Sequence, residues 1–379
     1  MRDKRRWRHG ISALAFIWGV GFSLPQAQAV QVDCGAVLGP GGNFVLDNDV
    51  GPCSGPDPAL TLISATLDLA GHTVSCSTPT IYGIDMEGAN SQVQNGTVTG
   101  CSNGVVLLGQ GHHRVRAVTA SGNSTGFTVG SEGNRLRKNT ADGNDFAGFA
   151  IGGIGNYLKG NAAGGSDFGF LFIGATRSIL SHNSAENNLV GFEMFNSRGG
   201  ALRSNTASDN IFDGFRGSVD TQNDWQANLA TGNARGFFCE GDTQSLWLAN
   251  TAADNRQSGF SLADGEKNFL GNNHAVANGS SGFEVEEVNA DLRDNEATGN
   301  TGAGFVLFAD TNGTLLLANR ALSNRGRGIY LHTGATDNRV VKNDALENRK
   351  FDLADDNSAC DSNLWQDNTF DLANQECIH

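Results

Sequence analysis

The chain has 379 residues, of which 51 are glycine and only 6 are proline, and 39% are hydrophobic. Glycine at this level without a Gly-X-Y period excludes collagen, and the hydrophobic fraction is too high for a disordered chain. The formal net charge of −14 at pH 7 makes the surface repel DNA, RNA and anionic lipid, so we expect no nucleic-acid partner.

The pattern of residues 1–29 predicts an export signal. A basic start is followed by the apolar run ISALAFIWGVGFSL and by AQA, a small-residue cleavage pattern. The alternative is a membrane anchor, but the run is short for a span, and no other stretch could cross a bilayer. We therefore expect a secreted or periplasmic protein with no integral membrane segment after cleavage. Cleavage leaves 21 Lys and Arg against 39 Asp and Glu, a net charge of −18, so a polyanionic polysaccharide would need a basic pocket or bridging cations.

All seven cysteines lie after residue 29, and export favours disulfides. Their proximity in the sequence suggests three pairs, although connectivity cannot be deduced from sequence: Cys34 with Cys53, Cys76 with Cys101, and Cys360 with Cys377. Cys239 then remains alone, in a column that other repeats fill with core residues. We expect it to be a buried thiol.

One phrase recurs along most of the chain. It reads NTASDNIFDGFRGS at 205–218 and NTAADNRQSGFSLA at 250–263. A glycine precedes an aromatic or aliphatic residue at steps of 21 to 24 residues, from Gly83 to Gly328. Two asparagine columns, an alanine column and a large apolar column keep the same step. A fixed period of this length is typical of a solenoid.

Each repeat holds three short apolar stretches separated by turn residues. Phe260 and Leu262 flank Ser261, and this period of two predicts a strand. Three strands per coil, stacked on the next coil, predict an all-β parallel β-solenoid of about 12–13 coils of 21–24 residues. Leucine-rich repeats share the period, but they need three leucines before one asparagine.

The polar columns have mechanical explanations. We expect each asparagine to adopt the left-handed conformation at a bend. Its amide can also hydrogen-bond the equivalent amide one coil away and so form a ladder. The glycine before Phe is expected to supply a second permissive backbone position.

The chain is expected to form one rod. We predict an N-terminal cap over 30–58, the β-helix over 59–355, and a closing coil or cap over 356–379, because solenoids need caps to hide their terminal strand edges. A strand spacing of about 4.8 Å gives a rod on the order of 60 Å long. No linker or second domain is visible, and we expect a monomer.

The columns N-x-A-x-x-N-x-x-x-G-F resemble those of the right-handed parallel β-helix superfamily, the pectin-lyase-like fold. Within it they are most similar to repeats of the carbohydrate-binding and sugar-hydrolase type, shared with the periplasmic β-helix that assists nitrous oxide reductase maturation. The segments TLDLAGHTVSC and VQNGTVTGCSNGVVL resemble the first coils of secreted members. The resemblance covers roughly 60–370 and implies the fold, whereas activity depends on particular side chains.

Function would lie on the outward side of the Gly-Phe strand, which often carries the groove in this superfamily. If Phe points inward, the next residue and the one two further on point outward. The early coils offer little chemistry there. The candidate binding and catalytic residues are Glu193, Arg216, Phe238, Glu240, Glu284, Glu286, Phe308, Tyr330 and His332.

The late coils carry the most reactive group of these residues. Tyr330 and His332 lie about two coils, or roughly 10 Å, from Glu284 and Glu286. Tyrosine and histidine can serve as acid and base in a polysaccharide lyase or epimerase. The alternative is an ordinary exposed face, on which the acidic block that ends at Glu287 is plain solubilising charge.

Two further groups have simpler explanations. Glu193, Arg216 and Glu240 occupy successive coils, and a solvated charge ladder accounts for them. Carboxylates can hold Ca²⁺, which is the one cofactor that the residues allow. The only methionines after residue 29 are Met86 and Met194, and this scarcity of soft ligands argues against copper delivery.

Three functions remain open. The first is glycan binding outside the cytoplasm by an aromatic and acidic strip that includes Phe195, Phe238, Phe308 and Tyr330. The second is a non-catalytic structural or cell-surface rod. The third is a polysaccharide lyase or uronate epimerase that uses Tyr330 and His332.

Overall fold

The computed structural model describes residues 27–77 and 81–379. The predicted export signal at 1–29 therefore lies outside the described residues, apart from its last three. The described chain is an all-β parallel solenoid of about 15 turns, with one 3-10 turn at Ser358–Cys360. The predicted fold class is confirmed, but the predicted 12–13 coils were too few.

One side of the solenoid is a 15-stranded parallel sheet, which we call the Phe face. Its strands are Ala36–Leu38, Leu60–Ile63, Tyr82–Glu87, Asn103–Leu107, Thr125–Val129, Ala147–Ile151, Phe168–Ile173, Val190–Phe195, Asp213–Ser218, Arg235–Glu240, Phe260–Glu266, Phe283–Val288, Phe305–Leu307, Ile329–Leu331 and Leu353–Asp355. The coil count was low because strands outside the recognisable repeats, such as Ala36–Leu38, also pair in this sheet.

The other 29 strands form two parallel stacks joined by two long strands, Gln92–Thr99 and Arg114–Ser121. The Leu face adds Gln28–Val30, Asn43–Leu46, Thr66–Asp68, Arg135–Arg137, Tyr157–Lys159, Ile179–Ser181, Ala201–Arg203, Asp224–Gln226, Leu246–Leu248, Phe269–Gly271, Asp291–Arg293, Leu315–Leu317, Arg339–Val341 and Leu364–Gln366. The Ala face adds Val50–Cys53, Thr73–Cys76, Thr140–Asp142, Ala162–Gly164, Ser184–Glu186, Thr206–Ser208, Leu229–Thr231, Thr251–Ala253, His274–Val276, Glu296–Thr298, Arg320–Leu322, Asp344–Leu346 and Thr369–Phe370.

The core consists of identical residues stacked along the axis. Nine buried phenylalanines from Phe127 to Phe305 form one stack, with successive ring centroids 4.7 or 4.8 Å apart. Trp225 and Trp247 stack at 4.5 Å within the leucine column. The ring spacing equals the spacing of neighbouring strands, so the sheet register itself sets the packing of the core.

The asparagines form the predicted ladders. Asn205 Nδ2 donates to Asn228 Oδ1 at 3.0 Å, and Asn228 Nδ2 donates to Asn250 Oδ1 at 3.0 Å. The same oxygens accept backbone N–H groups: Asn205 N lies 3.0 Å from Asn228 Oδ1. Each amide therefore satisfies buried backbone groups at a bend as well as its neighbour in the ladder.

Two expected roles were wrong in detail. The left-handed residue is the one before the ladder asparagine: φ is 55° at Ser204 and 54° at Asp209, whereas Asn205 and Asn210 lie outside this region. Gly214, before Phe215, also has no positive φ. A Cβ there would lie 2.8 Å from the Gly236 carbonyl oxygen, so close approach between coils, rather than a permissive backbone, requires glycine.

Disulfides close both ends of the described chain. Cys34 pairs with Cys53, Cys76 with Cys101, and Cys360 with Cys377, which confirms the predicted pairing. Cys239 is free and buried. Because the pairs join neighbouring strands or terminal turns, they tie down the parts of the solenoid with fewest stacked neighbours.

Candidate functional site

The outward side chains of the Phe face form columns that cross its strands. Register aligns Glu193, Arg216, Phe238, Ser261, Glu284, Val306 and Tyr330 in one column. Phe195, Ser218, Glu240, Ala263 and Glu286 align in the next. Non-repeating side chains along these columns meet in two clusters.

The first cluster lies on the middle coils and is balanced in charge. Asp213, 1% exposed, accepts two hydrogen bonds from Arg235, at 2.7 and 3.0 Å. Arg216 lies 3.8 Å from a Glu193 oxygen and 3.9 Å from an Asp213 oxygen. Arg235 also lies over the Phe238 ring, 3.5 Å from its centroid. Two carboxylates and two guanidiniums are therefore paired in charge, although Glu193 Oε2 and Arg216 Nε make no hydrogen bond within the described residues.

The predicted residues of this cluster behave differently from one another. Burial raises the pKa of Glu193, and Arg216 opposes that shift. Glu240 is exposed and aligns with Ser218, so Asp213 rather than Glu240 is the second partner of Arg216. The solvated charge ladder predicted from sequence is therefore only partly present, because Glu193 is buried and Glu240 stands apart.

The second cluster is concave and lies on the late coils. We call it the late-coil cleft, a pocket of about 370 Å³. Its lining residues are Ser280, Ser281, Glu284, Thr301, Gly302, Ala303, Val306, Phe308, Arg325, Gly326, Arg327, Tyr330, His332 and Lys350. Glu284, Phe308, Tyr330 and His332 come together as the register predicts. Glu286 does not line the cleft.

Tyr330 is the centre of the cleft chemistry. Its hydroxyl donates a hydrogen bond to Asp356 Oδ2 and lies 3.3 Å from His332 Nδ1. Burial first, and then the Asp356 carboxylate, raise the pKa of Tyr330 to about 12. The ring of His332 stacks on Phe308 with centroids 5.3 Å apart. The tyrosine thus keeps its proton at neutral pH and lies beside an imidazole.

Sequence reasoning missed three cations of the cleft. The guanidinium carbon of Arg327 lies 3.9 Å from the Tyr330 ring centroid, and Arg325 and Lys350 line the same pocket. Within 27–77 and 81–379, none of the three takes part in a salt bridge, and Arg327 Nε is buried without a hydrogen-bond partner. The sequence RGRG at 325–328, directly before the inward Ile329, was the available signal.

Carboxylates also line an internal column, where sequence reasoning expected only surface charge. Asp220, Asp242 and Glu287 are 0–1% exposed, and each has one oxygen without a hydrogen-bond partner. Burial is the largest cause of the shifts that raise the pKa of Asp220 to about 8, of Asp242 to about 6 and of Glu287 to about 8. Glu287 is therefore not a solubilising surface charge.

Neither a membrane span nor a metal centre was identified in the described ranges. No helix there is long and apolar enough to cross a membrane. No three His, Cys, Asp or Glu side chains are placed together to hold an ion among residues 27–77 and 81–379. Ca²⁺ binding at Glu284 and Glu286 therefore stays a prediction from sequence.

Comparisons with solved structures show shared architecture. A double mutant of the periplasmic alginate epimerase AlgG is 12% identical over 93% of this chain and 79% of that chain, with a TM-score of 0.49. The Azotobacter vinelandii mannuronan C-5 epimerase AlgE6 A-module is 15% identical over 92% and 91%, with a TM-score of 0.45. Dettilon tailspike protein (gp208) is 16% identical over 80% and 61%, with a TM-score of 0.51. At these identities the likeness concerns the fold.

Comparison at the level of sequence families is more direct. No curated protein matches the chain significantly. One family, described as "Periplasmic copper-binding protein (NosD)", matches residues 69–223 and 213–374. Together these segments span the repeats from the early coils to the last strands. The chain therefore belongs to the NosD family of periplasmic β-helix proteins.

Proposed function

We propose that the late-coil cleft binds an acidic sugar unit of a glycan outside the cytoplasm. The observation that supports this most is the concentration of Arg325, Arg327 and Lys350, without salt bridges, in one concave site. The chain as a whole is acidic, with a net charge of −14. A polyanion would be repelled elsewhere on such a surface, so a local basic pocket is the feature that its binding requires.

The cleft offers separate contacts for the carboxylate and the ring of a uronate. Guanidinium groups bind carboxylates through paired N–H donors, and Arg325 and Arg327 both line the pocket. The stacked rings of Phe308 and His332 provide an aromatic surface beside it. Glu284, whose carboxylate accepts from Ser280 Oγ at 3.0 Å, lines the same pocket and can accept hydrogen bonds from sugar hydroxyls.

A specific observation favours catalysis as a second candidate. Tyr330 holds its proton and lies beside His332, so the pair has the acid and base that a lyase or epimerase needs. His332 would remove the proton next to the uronate carboxylate. Tyr330, whose hydroxyl is 3.3 Å from His332 Nδ1 and so lies on the same side of the sugar, would protonate the leaving oxygen in a syn elimination by a lyase. Arg327 would stabilise the carboxylate as charge develops.

Copper is the metal that the family description names, and the described soft ligands do not fit an accessible copper site. Met86, Met194 and Cys239 are 0–1% exposed and lie in the core. Burial raises the pKa of the Cys239 thiol well above its ordinary value, so the metal-binding thiolate is disfavoured.

Location outside the cytoplasm is part of the proposal. The family description is periplasmic, and three disulfides suit an oxidising compartment. Detection of the mature protein in a periplasmic or secreted fraction, with its N-terminus at residue 30, would support export and the predicted cleavage.

Binding can be tested by calorimetry with defined oligomers of mannuronate and galacturonate. We expect Arg327→Gln to weaken binding by about tenfold, which corresponds to about 1.4 kcal/mol, and added salt to weaken it further. Arg339→Gln removes the same charge from the exposed Leu face and should change little. Equal affinity in both variants would contradict the proposal. If the unmodified protein binds neither oligomer, the structural rod is the function that is favoured.

Catalysis is tested with the same oligomers. Unsaturated ends detected by ultraviolet absorbance would identify a lyase, and inverted C5 centres detected by NMR would identify an epimerase. We expect either product to vanish in Tyr330→Phe and His332→Asn variants that still bind. Binding without product in the unmodified protein would exclude the catalytic role for these oligomers.

A further inference from the structure

A second basic surface lies far from the late-coil cleft, on the Leu face of the early coils. Arg114 and Arg116 extend from one strand, and Arg135 and Arg137 extend from the next. Register places Arg114 beside Arg135 and Arg116 beside Arg137. All four side chains are exposed. We call these four residues the arginine patch.

The patch has no internal charge compensation. In the described part of the chain, none of its four arginines takes part in a salt bridge. Like charges directly opposite on neighbouring strands are destabilising. In a chain with a net charge of −14, this surface stands out as positive, and none of the salt bridges of the described residues stabilises it.

The neighbouring outward residues extend the patch along the rod axis. Register continues from Arg137 to Lys159 and from Arg135 to Tyr157. In the preceding coil the same columns hold Gln92 and Gln94, and these strands line a shallow depression of about 300 Å³. One column thus presents cations on three successive strands, spaced by about 4.8 Å.

We propose that the arginine patch binds a linear anionic glycan, carboxylated or sulfated, laid along the rod axis. Guanidinium groups recognise both anions through paired N–H donors. A polymer with a charge on each sugar repeats on a length comparable to the strand spacing, so successive anions can meet successive coils. The ring of Tyr157, 5.5 Å from the guanidinium carbon of Arg137, offers a surface on which a sugar ring can stack.

The composition of the patch favours a glycan over a lipid surface. Peripheral membrane sites combine basic residues with apolar side chains that enter the headgroup layer. Here the outward positions of four successive coils carry only glutamine, arginine, lysine and tyrosine, while Val93 and Val115 between them are buried.

The test replaces all four patch arginines by glutamine, the residue that the preceding coil carries at the same register. We make this change in an Arg327→Gln background, so that binding at the late-coil cleft does not obscure the result. The matched control is Arg203→Gln, which removes an exposed arginine of the same column that is paired with Asp224. Circular dichroism checks folding, and two double variants, one per strand, replace the quadruple variant if it unfolds.

The probes are mannuronate and heparin oligosaccharides and vesicles of phosphatidylglycerol. We expect the Arg327→Gln protein to bind at least one oligosaccharide, the patch variant to lose at least about tenfold in affinity, and Arg203→Gln to retain it. Equal binding by the patch variant, no oligosaccharide binding at low salt, or binding to vesicles alone would overturn the proposal. If Arg327→Gln leaves the affinity unchanged and the patch variant loses it, the proposed function of the cleft is overturned and the proposal for the arginine patch stands.

Discussion

Raising the pH from 5 to 8 is expected to destabilise this protein through its internal carboxylates. Asp220 and Glu287 have folded-state pKa values of about 8, and Asp242 of about 6. In an unfolded chain such groups titrate near 4. Between these values the folded chain binds more protons than the unfolded chain, so the free energy of unfolding falls as pH rises and levels off above about pH 8.

The size of the effect follows from the number of groups. Each group that is protonated only in the folded state lowers the free energy of unfolding by about 1.4 kcal/mol per pH unit. Asp220 and Glu287 together therefore give a slope of about 3 kcal/mol per unit, which their mutual coupling through Asp242 can reduce.

The perturbation is the double variant Asp220→Asn and Glu287→Gln. It preserves the accepting oxygens, since Asp220 Oδ1 accepts from Ser197 N at 2.6 Å and Glu287 Oε1 accepts from Asn268 Nδ2 at 2.7 Å. It removes the groups that must ionise. We expect the variant to be more stable than the parent at pH 8, and to show a shallower dependence on pH.

Urea unfolding at several pH values measures this. Circular dichroism reports on the whole solenoid, and fluorescence reports on Trp225 and Trp247, which are buried in the coils of Asp220 and Asp242. Asp254→Asn, at an exposed position, is the control. A parent whose urea midpoint rises from pH 6 to 8, or a double variant with the same pH slope as the parent, would refute the reasoning.

Two further predictions concern the repeat. Asn228→Ala leaves the Asn205 backbone N–H and side-chain amide without their shared acceptor, so we expect a loss of about 2–4 kcal/mol in urea unfolding. Little change is expected for Asn187→Gly, because Asn187 is exposed and its left-handed backbone (φ 57°) is one that glycine tolerates. Phe215→Ala removes a ring stacked on both sides and should cost about 3–5 kcal/mol, whereas Phe212→Ala, 53% exposed, should be nearly neutral. Similar losses in each pair would contradict the assigned roles.

The fold was predictable because its determinants repeat. Phe215 alone does not predict a strand, but a column of phenylalanines at a fixed step predicts both a strand and the strand that pairs with it in the next coil. The asparagine ladder was predictable for the same reason. The left-handed position was not, because the residue that adopts it varies in identity: it is Ser204 in one coil and Ala227 in the next.

The candidate site was only partly predictable because its residues do not repeat. Tyr330 and His332 followed from the strand period, whereas Asp356 reaches Tyr330 from a segment 26 residues away. For Glu287 the period did hold the answer: alternation from the inward Phe283 points it inward. The interpretation of Glu287 as a surface charge was wrong because it followed from the charge of the residue and ignored its position in the strand.

The three outward charge clusters differ in what they do for the fold. In the middle cluster Arg216 aligns with Glu193, so attraction between neighbouring coils offsets the cost of partial burial. The arginine patch places Arg114 beside Arg135, where repulsion costs up to about 1 kcal/mol in water. The late-coil cleft likewise gathers cations that form no salt bridge with any described residue. Paired charges stabilise the solenoid whether or not a ligand is present. Repulsion between unpaired cations decreases only when an anion binds. Anion binding should therefore raise the stability of this protein through the cleft and the patch, and leave the middle cluster unaffected.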